Sequence, residues 1–318
     1  IKWYEDGVTN AAFNCVDRHL PKRANQTAII FEGSNQSYGA LHDAVLCSVA
    51  ALRADGVKAG DRVGWLGLNH PDYVVVMNAC FRIGAVLVSI NARLVAREIA
   101  YILGDAGIGL LISEAQFLSV AEEARAAAGV ETIVLIDAAQ AGRPAFADWI
   151  AGFAPDSAAH PADPEDIALQ LYTSGTTGFP KGALLSHRAL LGTIGKGALT
   201  GEAWSRWDED DVCLVAMPLF HIGGIGYPWS TWWMGGKVVL HRAFDPQSGI
   251  IKIDGMDLLE VGPGNESMGS EQTFAVALEH LQTRLRSVVY VPLRNQNLRA
   301  GVTVDVEDDE VLDIDRKP

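Results

Sequence analysis

The chain is poor in cysteine, in positive charge and in long apolar stretches, and each shortage removes a class of protein. Its four cysteines, Cys15, Cys47, Cys80 and Cys213, lie far apart and form no Cys-x-x-Cys pair. Neither a disulfide framework nor a zinc site is indicated, and reduced thiols in a cytoplasmic protein are expected. Lys and Arg number 25 against 39 Asp and Glu, a formal net charge of -14. A nucleic-acid partner requires a basic face, so that class is set aside. No apolar run approaches the roughly 20 residues of a membrane span. The opening residues, Ile1 to Gly7, also lack the basic-then-apolar order of a signal peptide. What remains, 318 residues with 49% apolar and 20% charged, is the composition of an ordinary globular enzyme of one large or two ordinary domains.

A Walker A loop is absent as well. The nearest thing to a nucleotide loop is Tyr172 to Gly182, Tyr-Thr-Ser-Gly-Thr-Thr-Gly-Phe-Pro-Lys-Gly, where Pro180 stands five positions after Gly175 and no Gly-Lys-Ser/Thr follows. A P-loop NTPase is therefore not expected. The residues nevertheless suit a polyphosphate. Gly175 and Gly178 permit positive φ and close backbone approach, Thr173, Ser174, Thr176 and Thr177 supply hydroxyl donors, and Lys181 supplies a positive point charge. Pro180 restricts the loop before ligand arrives.

Elsewhere the pattern alternates. Val45, Val49 and Leu52 recur at helical spacing until Gly56, and Arg62 to Leu68 reads as a strand. Pro71 starts a helix with Tyr73, Val76 and Cys80 on one stripe, Gly84 ends it, and Ala85 to Ile90 is a strand. Val95, Ile99 and Ile102 make another helical stripe before the strand Leu110 to Ser113, and Glu114 to Ala128 with Thr132 to Asp137 repeats the unit. This alternation predicts an α/β fold of stacked, mostly parallel sheets covered by helices. The expected division is a first α/β subdomain over 1–137, a linker over 138–166 rich in Ala, Pro, Gly and Asp, a second subdomain over 167–247 carrying the loop, and an unassigned tail over 248–318. A strand at Ala183 to Leu185 and a helix capped by Ser186 follow the loop. In the tail, Phe274, Leu278, Leu281 and Leu285 make a helical stripe, Val288 to Leu293 reads as a strand, and the acidic run from Asp305 to Asp315 reads as solvated rather than metal-binding.

The loop resembles the signature of the adenylate-forming superfamily, which contains acyl-CoA synthetases, luciferases and the adenylation domains of peptide synthetases. Three further stretches are similar to that family: Asn78 to Leu94, Met217 to Gly224 (Met-Pro-Leu-Phe-His-Ile-Gly-Gly), and Trp233 to Leu240 continuing to Phe244-Asp245-Pro246. The resemblance covers about residues 1–247. Within it, Trp3 to Gly7 and Asn14 to Leu20 look like acetate- and propionate-activating synthetases, whereas 38–137 looks like fatty-acyl and aryl-acid ligases.

The resemblance implies ATP, Mg²⁺ and coenzyme A as cofactors and a carboxylic acid as substrate. It implies that Thr173, Ser174, Gly175, Thr176, Thr177, Gly178 and Lys181 hold the phosphates, and that His221 stands beside the reacting carboxylate. The implied reaction is ATP-dependent activation of a fatty or aryl acid through an acyl-adenylate, then transfer to a thiol. The family's Gly-aromatic-Gly-x-Thr-Glu and Tyr-x-Thr-Gly-Asp segments and its C-terminal lysine domain are not found over 248–318. The expectation is thus an incomplete enzyme, with a non-catalytic nucleotide- or acyl-binding fragment as the second reading and a non-functional gene product as the third.

Overall fold

The computed structural model describes residues 10–173, 179–192, 208–243, 251–253 and 256–259. All of them belong to the larger of the chain's two units, Ile1–Val288; the other, Val289–Pro318, lies outside the described residues. So do the motifs read at Trp3 to Gly7 and the helical stripe, strand and acidic run of the tail.

In chain order the elements begin with α1 (Ala11–Cys15), α2 (Leu20–Arg23), β1 (Thr27–Phe31), β2 (Ser34–Ser37), α3 (Tyr38–Ala54), β3 (Arg62–Leu66), α4 (Pro71–Ile83) and β4 (Val86–Ile90). Next come α5 (Ala96–Ala106), β5 (Ile108–Ser113), α6 (Leu118–Ala128), β6 (Thr132–Leu135), α7 (Phe146–Ala151), β7 (Ile167–Thr173) and β8 (Lys181–Ser186). A helical segment at 187–192 follows β8. Beyond it lie β9 (Val212–Val215), α8 (Ile222–Met234), β10 (Lys237–Leu240) and a hairpin of β11 (Ile251–Ile253) and β12 (Met256–Leu259).

The strands form a six-stranded sheet of order β6-β5-β3-β4-β7-β8 and a four-stranded sheet of order β2-β1-β10-β9. In the first, only β8 runs antiparallel, against β7. In the second, β1, β10 and β9 are parallel and β2 closes an edge antiparallel to β1. The fold is α/β with mostly parallel sheets and flanking helices. The intervals 1–137 and 167–247 each give strands to both sheets, and the connection over 138–166 contains α7, whose Phe146 is buried.

Five strands of the six-stranded sheet, β3 to β7, are largely buried on both faces, which is why they read as apolar runs, whereas the edge strand β8 is mostly exposed. Leu66, Val88, Ile90, Leu111, Ile133 and Leu135 face α5 and α6 through Ile99, Ile102, Leu103, Leu118 and Ala121. Val63, Trp65, Leu87, Leu110 and Ile112 face the opposite way, into a cluster shared with Ile29, Val238, Trp229 and α4. Every residue of α4 from Tyr73 to Ile83 is buried, as a helix apolar all round should be. Its ends are set locally. Pro71 is the first helical residue and the Nδ1 of His70 accepts the Asp72 N–H at 3.2 Å. Gly84 closes the helix at φ 77°, where a Cβ would stand 2.6 Å from Cδ2 of His160. The helical segment after β8 starts as expected, Ser186 Oγ accepting the Ala189 N–H at 3.2 Å.

Two histidines are held neutral inside this frame. His187, directly after β8, accepts the Ala11 N–H on Nδ1 at 3.2 Å and stands edge-on to Phe81. Burial, opposed by the charge of Asp166 and aided by His160, lowers its pKa from 6.5 to about 4. His19 donates Nε2–H to the carbonyl of Trp232 at 2.9 Å, and burial followed by the charge of Arg18 also lowers it to about 4. Both folded values lie below the unfolded one, so the unfolded chain binds more protons in this window. Stability is full above about pH 6.5 and is lost as pH falls toward 4. Urea midpoints measured across this range are expected to fall steadily, and His187→Gln, which keeps an acceptor for Ala11, is expected to flatten the slope by roughly one proton.

Candidate functional site

In a parallel sheet, ligands bind outside the carboxyl ends of the strands. The carboxyl ends of the two sheets meet here. After β3 the chain passes to Asn69, after β5 to Glu114, after β9 to Met217–His221 and after β10 to His241 and Arg242. Asn69 is 2% exposed and joins them. Its Nδ2 donates to the carbonyls of Met217 and His241, both at 2.9 Å, and its Oδ1 accepts the Leu219 N–H at 2.8 Å. Its own backbone N–H bonds the carbonyl of Arg242 at 3.1 Å. The buried Glu114 carboxylate takes Arg242 Nη2 at 2.6 Å and also accepts from Gln116 and from the Leu68 N–H.

Asn69 and Glu114 were not among the residues singled out in the sequence. The available signal for Asn69 was a polar residue between the exit of a strand and a proline-started helix.

This clamp sets the segment ahead of α8. The N–H of His221 bonds the carbonyl of Pro218 at 3.1 Å, and α8 then packs so close to that turn that a Cβ on Gly224 would lie 2.1 Å from Pro218 O. His221 is the N-cap of α8. Its Nδ1 accepts the Gly223 N–H at 3.2 Å, which leaves the proton on Nε2, and the ring is exposed. His221 therefore presents an N–H donor at the carboxyl edge of the four-stranded sheet.

The loop expected to hold phosphate joins β7 to β8. Thr173 and Lys181 are paired across the hairpin, with Thr173 Oγ1 donating to the Lys181 carbonyl at 3.5 Å. Because β8 runs antiparallel, Lys181 at its start lies at the same carboxyl edge as Thr173 at the end of β7. Both are exposed, and Lys181 has no ion-pair partner among the described residues. Ser174, Gly175, Thr176, Thr177 and Gly178 lie outside the described residues. The structure thus brings Thr173 and Lys181 together, and sets His221 in the other sheet's layer. Among the described residues no hydrogen bond joins His221 to that pair.

The described residues contain no group of three or more His, Cys, Asp and Glu placed to hold a metal ion, and no helix long and apolar enough to cross a membrane. All four cysteines are free; burial pushes the thiol of Cys213 up to about 12 and those of Cys15 and Cys80 higher still. Cys15, Cys80 and Cys213 are packing residues rather than nucleophiles.

A family model described as AMP-binding enzyme matches residues 16–254. The chain belongs to the AMP-binding enzyme family. Among curated relatives, a fatty acid–[acyl-carrier-protein] ligase of Streptomyces coeruleorubidus is 37% identical over 227 residues, 71% of this chain and 42% of its own length. A feruloyl-CoA synthase of Amycolatopsis sp is 35% identical over 221 residues, 69% of this chain and 42% of its own. Among solved structures, an anthranilate CoA ligase in complex with anthranoyl-AMP superposes with a TM-score of 0.67 at 30% identity, covering 74% of this chain and 44% of the other. ATP-bound MatB from Rhodopseudomonas palustris gives 0.64 at 27% identity, covering 76% and 46%. This AMP-binding chain therefore spans less than half the length of these curated relatives.

Proposed function

We propose that this AMP-binding chain is the carboxylate-activating part of an ATP-dependent acid–thiol ligase, acting on a fatty or aryl acid through an acyl-adenylate. The observation that carries this is the Thr173–Lys181 pair at a sheet's carboxyl edge, with a lysine that no described carboxylate neutralises. When a carboxylate attacks ATP, charge builds on the α-phosphorus and on departing pyrophosphate. Lys181 and the hydroxyls and amides of Thr173 to Gly178 would stabilise that charge electrostatically. His221, with Nε2–H outward, would hold the acid by a charge-assisted hydrogen bond. Mg²⁺ carried by the nucleotide's phosphates would supply further positive charge. Coenzyme A, or a carrier-protein thiol such as the one named for the Streptomyces relative, would be the acyl acceptor.

A second reading is favoured by the residues of 248–318, in which the family's Thr-Glu and Thr-Gly-Asp segments are not found. On that reading it binds nucleotide or acid without turnover. Acid-dependent exchange of labelled pyrophosphate into ATP, run across short, fatty and aryl acids, separates the two. Exchange that requires one acid class establishes adenylation. Its absence, with a melting temperature still raised by ATP, establishes the binding fragment.

His221 provides a sharper test of the acid side. His221→Asn keeps an N-cap acceptor for α8 but removes the ring, so stability should change little. The acid concentration giving half-maximal exchange is expected to rise by about ten- to a hundredfold, the value of one charged hydrogen bond, while ATP affinity stays the same. An unchanged acid response would make His221 a cap and nothing more.

A further inference from the structure

The loop between β7 and β8 is gripped at both stems by one helix. Tyr172, the last residue before Thr173, donates its phenol to Oδ2 of Asp105 at 2.5 Å and accepts from Gln170 Nε2 at 3.0 Å. Phe179, on the returning stem, lies against Tyr101 with ring centroids 5.1 Å apart and planes tilted by 35°. Tyr101 and Asp105 are four residues apart on α5, hence on one face of it. The two contacts use different physics, one a hydrogen bond to an aspartate side chain and one an aromatic pair, yet they converge on the two stems of the same loop.

Each contact also breaks a local preference. Asp105 sits in the last turn of α5, where the helix dipole disfavours a carboxylate, and no basic residue stands in that turn to offset it. Phe179 keeps 64% of its surface in solvent, little burial for a large apolar side chain. Departures of this kind are concentrated where a residue serves a site rather than the fold. Burial, and after it the Asp105 carboxylate, keep the Tyr172 phenol protonated and donating.

We propose that Asp105 and Tyr101 are positioning residues that clamp the two stems of this loop and so fix Thr173 and Lys181 in the arrangement that receives a polyphosphate. The proposal rests on the polyphosphate reading given above. Asp105 acts through Tyr172 on the outgoing stem, and Tyr101 acts through Phe179 on the returning one; neither needs to touch the ligand. The clamp meets part of the ordering cost before binding, so its effect falls on affinity for the phosphate end of the nucleotide rather than on recognition of the acid.

The test uses the full chain with Asp105→Ala, Tyr101→Ala and, as the conservative control, Tyr101→Phe. Two readouts are taken: amide hydrogen exchange at the stem residues Tyr172, Thr173, Phe179 and Lys181, and calorimetric titration with inorganic pyrophosphate. Both alanine variants are expected to speed exchange at these stem amides by about tenfold with other segments unchanged, and to weaken pyrophosphate by about three- to tenfold. Tyr101→Phe keeps the ring and should behave as wild type. Alanine variants whose exchange and affinity match wild type overturn the clamp. A wild-type chain that binds no pyrophosphate overturns the polyphosphate reading and the clamp's role in it, while the exchange data still decide whether α5 holds the loop. Uniformly faster exchange throughout the chain would reduce Asp105 and Tyr101 to ordinary packing and also overturn the proposal.

Discussion

Gly224→Ala is expected to destabilise the chain by about 3 kcal/mol or more, well above the typical cost of a surface substitution. The added Cβ would lie 2.1 Å from the carbonyl oxygen of Pro218 and 2.9 Å from that of Met217. Both are backbone atoms, so no rotamer change relieves the contact. Neither can the turn retreat, because Asn69 holds the Met217 carbonyl and the Leu219 N–H. Either α8 shifts away from the turn or the hydrogen bonds around Asn69 break, and both outcomes move His221. Urea unfolding measures the energetic part. The adjoining Gly223→Ala serves as comparison, because its Cβ would meet the flexible end of the Met217 side chain, which can turn aside. A Gly224→Ala midpoint no lower than that of Gly223→Ala would contradict the packing described for this turn.

Asn69→Ala is the second large effect expected, a loss of roughly 3 kcal/mol from one buried and two part-buried backbone groups that lose this side-chain partner. The carbonyls of Met217 and His241 and the N–H of Leu219 all lose their side-chain bond. Asn69→Asp separates geometry from chemistry. It retains the size and the acceptor for Leu219 but sets a carboxylate oxygen against two carbonyl oxygens, so it should fare no better than alanine. If the aspartate variant were as stable as wild type, the amide's two donated bonds would contribute nothing. Because this residue joins β3 to the segments following β9 and β10, its loss should also alter the acid response attributed to His221, though among the described residues no hydrogen bond joins the two side chains.

The contrast between these residues and the loop explains what the sequence disclosed. Helix α4 was legible because its determinants are local: a proline at its first position, an apolar run, and a glycine that accepts positive φ at its end. The alternation of α3 through β6 followed the same rule. The strand pairing was less legible. The β1–β2 hairpin and its union with β10 and β9 depend on partners far along the chain, Ile29 with Val238 for example, and no periodicity within Thr27 to Ser37 announces them. Helix α7 lay hidden in a stretch whose composition reads as a connection, since Phe146 and Trp149 are its main apolar anchors and no full amphipathic stripe develops in six residues.

The site divides in the same way. Lys181 and Thr173 were marked as candidates by residue type and order, because a phosphate-binding loop uses glycine, hydroxyls and a cation in one short span. His221 was marked as a candidate by the resemblance of Met217 to Gly224 to a family motif. Asn69, Glu114, Tyr101 and Asp105 were not, because each acts on groups contributed by other elements: Asn69 on backbone atoms of the β9 and β10 exits, Glu114 on Arg242, and Asp105 on a tyrosine of β7. A single asparagine or aspartate in a sequence carries no mark of such a role.

On the proposed function the β7–β8 hairpin is an anion site in which Lys181 supplies the charge. The decisive measurement is calorimetric titration of inorganic pyrophosphate into wild type and Lys181→Ala. The side chain is exposed and has no ion-pair partner among the described residues, so its removal should change stability by no more than about 0.5 kcal/mol. Pyrophosphate affinity, by contrast, is predicted to fall by about tenfold or more. Equal affinity in the two proteins, or a loss of binding matched by an equal loss of stability, would contradict the account.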